Sequence, residues 1–193
     1  MFKNLSILVA TAASMVALAM SPQPSLAQSK KDSVVMGMAL EPPGLDPTNA
    51  AAAAIAEVTL YNVYETLTKI KEDGSVAPLL AESWQASPDL KTYTFKLRKG
   101  VKFQNGEPFD SAAVKFSYER AAAPASTNKD KSLFQSFESV TAPDADTVVI
   151  ALKYSEPNLP FLLGQASGSI VEPKSAPTDA TQPVGTGPYV LGS

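Results

Sequence analysis

The sequence predicts an α/β fold, and three stretches carry that prediction. Residues 92–98 alternate: Tyr93, Phe95 and Leu97 are apolar or aromatic, while Thr94, Lys96 and Arg98 are polar. That is the period of a strand with one buried and one wet face. Asp110 and Ser111 offer an N-cap to a helix over 112–120 that carries Val114 and Phe116. Residues 147–152, TVVIAL, are β-branched and apolar, and a turn at 144–146 joins them to 134–140 as a hairpin.

The other elements follow in chain order. Residues 33–39, SVVMGMA, are mostly apolar and predict a buried first strand. Glu41 to Pro47 holds three prolines and a glycine, which force an extended, turning loop. Stiff loops at the end of a buried strand are where α/β proteins place ligands, although a plain connector reads the same way. The alanine run predicts a helix over 49–64, with Ile55, Val58 and Tyr61 on one broad face. Strands are expected at 67–70 and 76–80 around the turn Glu72-Asp73-Gly74-Ser75, and at 83–86 before a turn at Pro88-Asp89. Trp84, the one tryptophan, is expected to anchor a small core. A short strand should follow Gly100, ending at the Asn105-Gly106 turn.

Residues 121–131 read as an exposed loop. Residues 157–163 predict a short helix with Pro near its start, 164–168 a flexible stretch and 169–171 a short strand. A Pro-rich loop over 172–183 then leads into Gly185-Thr186-Gly187-Pro188-Tyr189, a Gly-rich turn running into a strand. This turn is not a phosphate loop. It lacks the G-x-x-x-x-G-K-[ST] spacing and any lysine, and Pro188 opens a strand rather than a helix.

Composition narrows function. The chain has 193 residues, 45% hydrophobic and 18% charged, which suits one globular domain with a sizeable core. Its net charge of −3 comes without a basic block, which argues against nucleic acid. The absence of histidine removes Ser-His-Asp and Cys-His catalysis and the usual catalytic zinc sites. Acids are present, but no carboxylate pair sits in a glycosidase context. No catalytic residue, metal ligand or cofactor is expected.

Residues 1–27 read as a cleaved signal peptide: Lys3 before an apolar run, Pro22 and Pro24 breaking it, and Ser25-Leu26-Ala27 setting cleavage after Ala27. A membrane anchor is the other reading, but the run is short and meets proline rather than a basic stop. Cleavage removes one of the 16 basic residues and none of the 19 acids, leaving −4. With no cysteine, the exported protein has neither disulfides nor the lipid-bearing residue of a bacterial lipoprotein, so a free periplasmic protein is expected.

Several motifs occur together and in order: 60–67 LYNVYETL, 78–84 PLLAESW, 87–89 SPD, 93–103 YTFKLRKGVKF, 105–110 NGEPFD, 114–120 VKFSYER and 185–189 GTGPY. In this combination the sequence resembles the N-terminal part of the extracytoplasmic solute-binding proteins of peptide/nickel-type ABC importers. The resemblance implies the first lobe of a two-lobe, type II-like periplasmic binding protein, carrying an inserted, mostly antiparallel α+β subdomain. Mapped by motif, 28–71 opens main lobe I, 72–152 is the inserted subdomain and 153–193 returns to lobe I. Family members are far longer, so the second lobe is expected to be absent and the chain to be a fragment.

The resemblance also implies function: capture of a short peptide and its delivery to an ABC permease in the inner membrane, by a monomer. A nickel complex, a sugar, an opine-like compound, or ligand presentation to a sensory receptor are alternatives. Within this lobe the candidate ligand-binding residues are Glu41, Pro43, Leu45, Asp46, Ser167 and Tyr189. Glu41 or Asp46 could meet a ligand amine, or simply cap the loop. Tyr189 could equally be a packing residue. The inserted subdomain is expected to lie away from the ligand.

Overall fold

The computed structural model describes residues 33–48 and 52–192. The chain divides into two units, Met1–Gly37 and Met38–Ser193. In the first, residues 33–37 are exposed and outside any helix or strand. The described helices and strands all belong to the second unit.

Helix α1 spans Ala53–Thr59 and is followed by a short hairpin of β1 (Thr68–Ile70) and β2 (Val76–Pro78). Strands β3 (Ala81–Ala86) and β4 (Thr92–Leu97) come next, then helix α2 (Ser111–Ala122) and helix α3 (Lys131–Gln135). Strands β5 (Phe137–Asp144) and β6 (Thr147–Leu152) form the second hairpin, and helix α4 covers Leu159–Leu162. Two 3-10 turns, Ala166–Gly168 and Ala176–Thr178, complete the described elements.

The main sheet has the order β3-β4-β6-β5 and is antiparallel throughout. Its register explains the alternation in residues 92–98. Tyr93 faces Ile150 and Phe95 faces Val148 across the central pair, and all four side chains are buried. Such cross-strand pairs on one face are the unit of sheet stability. Helix α2 lies over this face with Ala113, Val114, Ser117, Tyr118 and Ala121 buried, a three-and-four spacing that makes one stripe. Tyr118, Phe134 and Phe137 form an aromatic trio with ring centroids 5.4–6.0 Å apart, which joins α2, α3 and β5. Trp84 is half-buried against Phe95 at 6.4 Å.

The N-cap of α2 forms as the sequence predicts. The Asp110 carboxylate accepts from the Ala113 amide at 3.1 Å, and the Ser111 hydroxyl and amide donate to the carbonyls of Asp144 and Ala145. Asp110→Ala is therefore expected to cost about 1 kcal/mol, the usual worth of an N-cap. Urea unfolding followed by Trp84 fluorescence measures it, and an unchanged midpoint would contradict the assignment.

Several segments differ from their expected form. Residues 33–38 form no strand, and Val34, Val35 and Met36 are 84%, 98% and 78% exposed. A buried strand needs a ladder partner, and none for 33–38 is among the described residues. The helix expected over 49–64 ends at Thr59. Residues 49–51 lie outside the described residues, as do residues 1–27, the expected signal peptide. Beyond Leu60 the chain turns sharply, and Tyr61 takes a φ of +61°, unusual for a side chain with a Cβ. Its hydroxyl holds that turn by donating to the Gly164 carbonyl at 2.8 Å and accepting from the Ile70 amide at 3.1 Å.

Residues 101–103 make only an isolated bridge, Lys102 to Pro108, rather than a strand. The 121–131 segment is not simply an exposed loop: α2 runs to Ala122 and Asn128 is buried. Phe134 belongs to α3, and β5 starts at Phe137. Gly164, Ala166, Ser167 and Gly168 are buried, and 166–168 form a 3-10 turn. Residues 169–171 are also buried but are held singly, by Ile170 donating to the Glu65 carbonyl and Val171 to the Ser117 hydroxyl. Residues 189–191 form no strand either. Tyr189 donates to the Asn62 carbonyl at 3.0 Å, after which Val190 and Leu191 are exposed.

Candidate ligand-facing surface

The proline-rich loop of residues 41–47 turns from exposed to buried along its length. Glu41 and Pro43 face solvent, Leu45 is half-buried, and Asp46, Pro47 and Thr48 are buried. Its far end is fixed in two ways. The Leu45 amide donates to the Ala180 carbonyl at 2.9 Å. The Asp46 carboxylate accepts from Thr48, through amide and hydroxyl at 2.9 Å each, and from the guanidinium of Arg120 at 3.2 Å (Oδ1) and 2.5 Å (Oδ2). Arg120 also donates to the Thr48 hydroxyl and, at 3.3 Å, to the Ala176 carbonyl. This two-pronged fork is the geometry in which arginine holds carboxylates best.

A second acid sits beside this pair. Asp179 is fully buried, and Val184 and Ser175 donate to it only at 3.4 Å each. Burial, and then the charge of Asp46, push its pKa up from 3.8 to about 6. The Tyr64 hydroxyl lies beside it without closing a full hydrogen bond, and burial with the same two carboxylates raises that phenol well above its ordinary value. Burial works against the charge of Arg120, but the hydrogen bonds and charge of Asp46, followed by the charge of Asp179, outweigh it and hold the guanidinium's pKa up. The folded pKa of Asp179 lies above its unfolded value. The stability it contributes is therefore full below about pH 4 and is lost as pH rises through about 6.

Ser167 lies in the turn Ala166–Gly168 and is buried. Its hydroxyl donates to Asp130 at 2.5 Å, and its carbonyl accepts from the Asn128 side chain at 3.0 Å. Both groups are used to fasten the 128–130 turn. A cavity of about 90 Å³ opens next to it, lined by Pro47, Ala53, Ile55, Ala56, Lys129 and Ala166. Thus the end of the proline-rich loop and the start of the Ser167 turn border one hollow, together with Lys129, which the sequence did not single out. Ligand pockets for small molecules run to about 300–1,000 Å³, so this hollow takes one small side chain at most.

Tyr189 lies elsewhere and is 66% exposed. Its segment is held by a second device. Gly187 donates to the Val63 carbonyl at 2.9 Å, and Gly185 and Gln104 exchange hydrogen bonds at 2.9 and 3.2 Å. The Gln104 side-chain Nε2 also donates to the carbonyls of Gly187, at 3.1 Å, and Tyr189, at 2.6 Å. A Cβ on Gly185 would stand 1.9 Å from the Val63 carbonyl oxygen, and one on Gly187 2.3 Å from that of Asn62. Both glycines are therefore required by close backbone approach.

Asp46 differs most from its expected role. Its oxygens are bound to Arg120 and Thr48, so it anchors the loop rather than presenting a free acid to an amine. Arg120, at the end of α2, comes nearer than expected, since its guanidinium reaches the loop directly. Among the described residues, no group of three or more acids is placed to hold a metal, and no helix is long and apolar enough to cross a membrane.

Comparison with known proteins decides the family. The sequence profile of the bacterial extracellular solute-binding proteins, family 5 (middle), matches residues 75–193. The chain belongs to this family. The glutathione-binding protein GsiB of Escherichia coli K12 is 34% identical over 151 residues, which is 76% of this chain and 29% of GsiB. Among solved structures, Haemophilus influenzae OppA in complex with RPPGFSPFR matches with a TM-score of 0.72 at 26% identity, over 79% of this chain and 34% of OppA. NikZ of Campylobacter jejuni in complex with Ni(L-His) matches at 0.69 and 27%, over 80% and 31%. The chain thus spans about a third of these family 5 proteins, and its fold is that part of a type II periplasmic binding protein, built on antiparallel sheets.

Proposed function

We propose that this chain supplies the first wall of a cleft that captures short peptides in the periplasm and hands them to an ABC permease. On this reading 28–71 and 153–193 belong to main lobe I, 72–152 is an inserted subdomain, and residues 1–27 are a signal peptide cleaved after Ala27. The protein acts as a lipid-free monomer and not as an enzyme.

The observation that carries the proposal is the common hollow between the 41–47 loop and the Ser167 turn. Two segments distant in sequence are fixed there by part-buried polar anchors, Asp46–Arg120 and Ser167–Asp130, while Glu41, Pro43 and Leu45 are left at or near the surface. A rigid backbone wall suits a ligand held by main-chain hydrogen bonds with permissive side-chain contacts. Glu41 is the acid left to face a ligand amine, Pro43 and Leu45 supply apolar contact, and exposed Tyr189 is a further contact. The relatives GsiB and OppA, named for glutathione binding and crystallised with a peptide, support peptides over other solutes. The likeness to NikZ keeps a metal complex as the second reading, with all metal ligation by imidazole left to groups outside this histidine-free sequence.

Two-lobe binders gain affinity by closing both walls on the ligand. The 193-residue chain should therefore bind glutathione or dipeptides only weakly. Isothermal titration tests this: millimolar affinity is expected, and micromolar affinity would contradict the need for a second wall.

A further inference from the structure

The hold on the 41–47 loop depends on one guanidinium shared by two carboxylates. Arg120 forks onto Asp46, and Asp179 lies within electrostatic reach of both. The two acids also flank a shared backbone contact, since Leu45, next to Asp46, donates to the carbonyl of Ala180, next to Asp179. Repulsion between the acids therefore loads the bond that pins the loop. We propose that Arg120 is the positioning residue of the 41–47 loop, and that protonation of Asp179 tightens this hold while its ionisation loosens it. The importance of the loop to binding rests on the function proposed above; the latch itself does not.

The groups facing Asp179 are few. Asp46 comes from the loop, Arg120 from α2 and the Tyr64 hydroxyl from the turn after α1, with the Ser175 hydroxyl and Val184 amide from its own segment. The nearby Glu172 carboxylate is directed elsewhere, accepting from Lys174, Ser175 and Asn105. With Asp179 neutral, Arg120 serves Asp46 alone. With Asp179 ionised, two buried anions share one cation, and the loop's attachment is the part able to give. Burial and Asp46 place the transition near pH 6, within the range an extracytoplasmic compartment meets.

Amide hydrogen exchange at Leu45, measured by NMR on the ligand-free chain and corrected for the intrinsic rate, tests the latch. Between about pH 5 and about pH 7.5, protection of Leu45 should fall by about fivefold to tenfold, since the held loop's transition near pH 6 limits the change across this range. In Asp179→Asn the step should vanish, with protection at both pH values near the wild-type acid level. Arg120→Lys, which keeps the charge but not the fork, should lower Leu45 protection at both pH values while leaving amides of β4 and β6 unchanged. Equal wild-type protection at the two pH values, a step that persists in Asp179→Asn, or a loss in Arg120→Lys shared by β4 and β6 would each overturn the proposal. Should Arg120→Lys not fold, the Asp179→Asn comparison decides alone. Because no ligand is present, failure of the latch is separate from failure of the peptide-binding reading.

Discussion

Gly185→Ala is expected to cost about 3 kcal/mol or more, or to prevent folding. The added methyl would stand 1.9 Å from the Val63 carbonyl oxygen, 2.7 Å from its carbon and 2.9 Å from the Tyr64 ring. No rotamer relieves a clash with backbone, so the chain itself must move, at the upper end of the cost of overpacking. Movement there also breaks the paired hydrogen bonds between Gly185 and Gln104 and the bond from Gly187 to Val63. Gly192→Ala is the matched control, because its Cβ would meet nothing within 4 Å. Urea unfolding followed by Trp84 fluorescence should give a large loss for Gly185→Ala and a near-zero change for Gly192→Ala. A Gly185→Ala protein within about 0.5 kcal/mol of wild type would contradict the tight approach of the two segments.

Arg120→Met should be comparably damaging, for an electrostatic reason. It leaves Asp46, 5% exposed, and Asp179, fully buried, without a cation. Removing one partner of a buried pair costs about 3–5 kcal/mol, because the remaining charge has lost its compensation. The loss must depend on pH. Near pH 7.5 Asp179 is ionised and the full cost applies, whereas in acid it protonates and part of the loss returns. Unfolding midpoints at about pH 7.5 and about pH 4.5 separate this from a packing defect, which would cost the same at both. The double variant Arg120→Met/Asp179→Asn should recover part of the stability at the higher pH, since one of the two stranded charges is gone.

Local signals were legible and distant ones were not. The alternation at 92–98, the Asp110 cap and the β-branched run at 147–152 each became the expected element, because each depends on neighbours a few residues away. The strands expected at 33–39 and 189–191 have the composition of strands, but a strand needs a ladder partner, and composition does not supply one. The helix over 49–64 was overextended because alanine propensity ignores the demand made on Asn62 and Val63, whose carbonyls accept from Tyr189 and Gly187. The site shows the same division. The stiff 41–47 loop could be read from its prolines, whereas Ser167 was a candidate only through the family resemblance, which gave no sign that it fastens the 128–130 turn. Arg120 carried no local sign of its role, because Asp46 lies 74 residues away. Nor did Asp179, whose raised pKa is a property of burial beside Asp46. The spacing of Gly185 and Gly187 was visible, and the family motif marked it, but its reason, the Val63 and Asn62 carbonyls, is tertiary.

The central claim is that the 41–47 loop and the Ser167 turn form the ligand-facing wall. The most direct test is NMR chemical-shift mapping of the 193-residue chain during titration with glutathione and short peptides at millimolar concentration. Perturbations centred on Glu41, Leu45, Ala166 and Ser167, with the amides of β3 to β6 unaffected, are expected. Perturbations centred on the sheet, or none at any site up to saturating peptide, would contradict it.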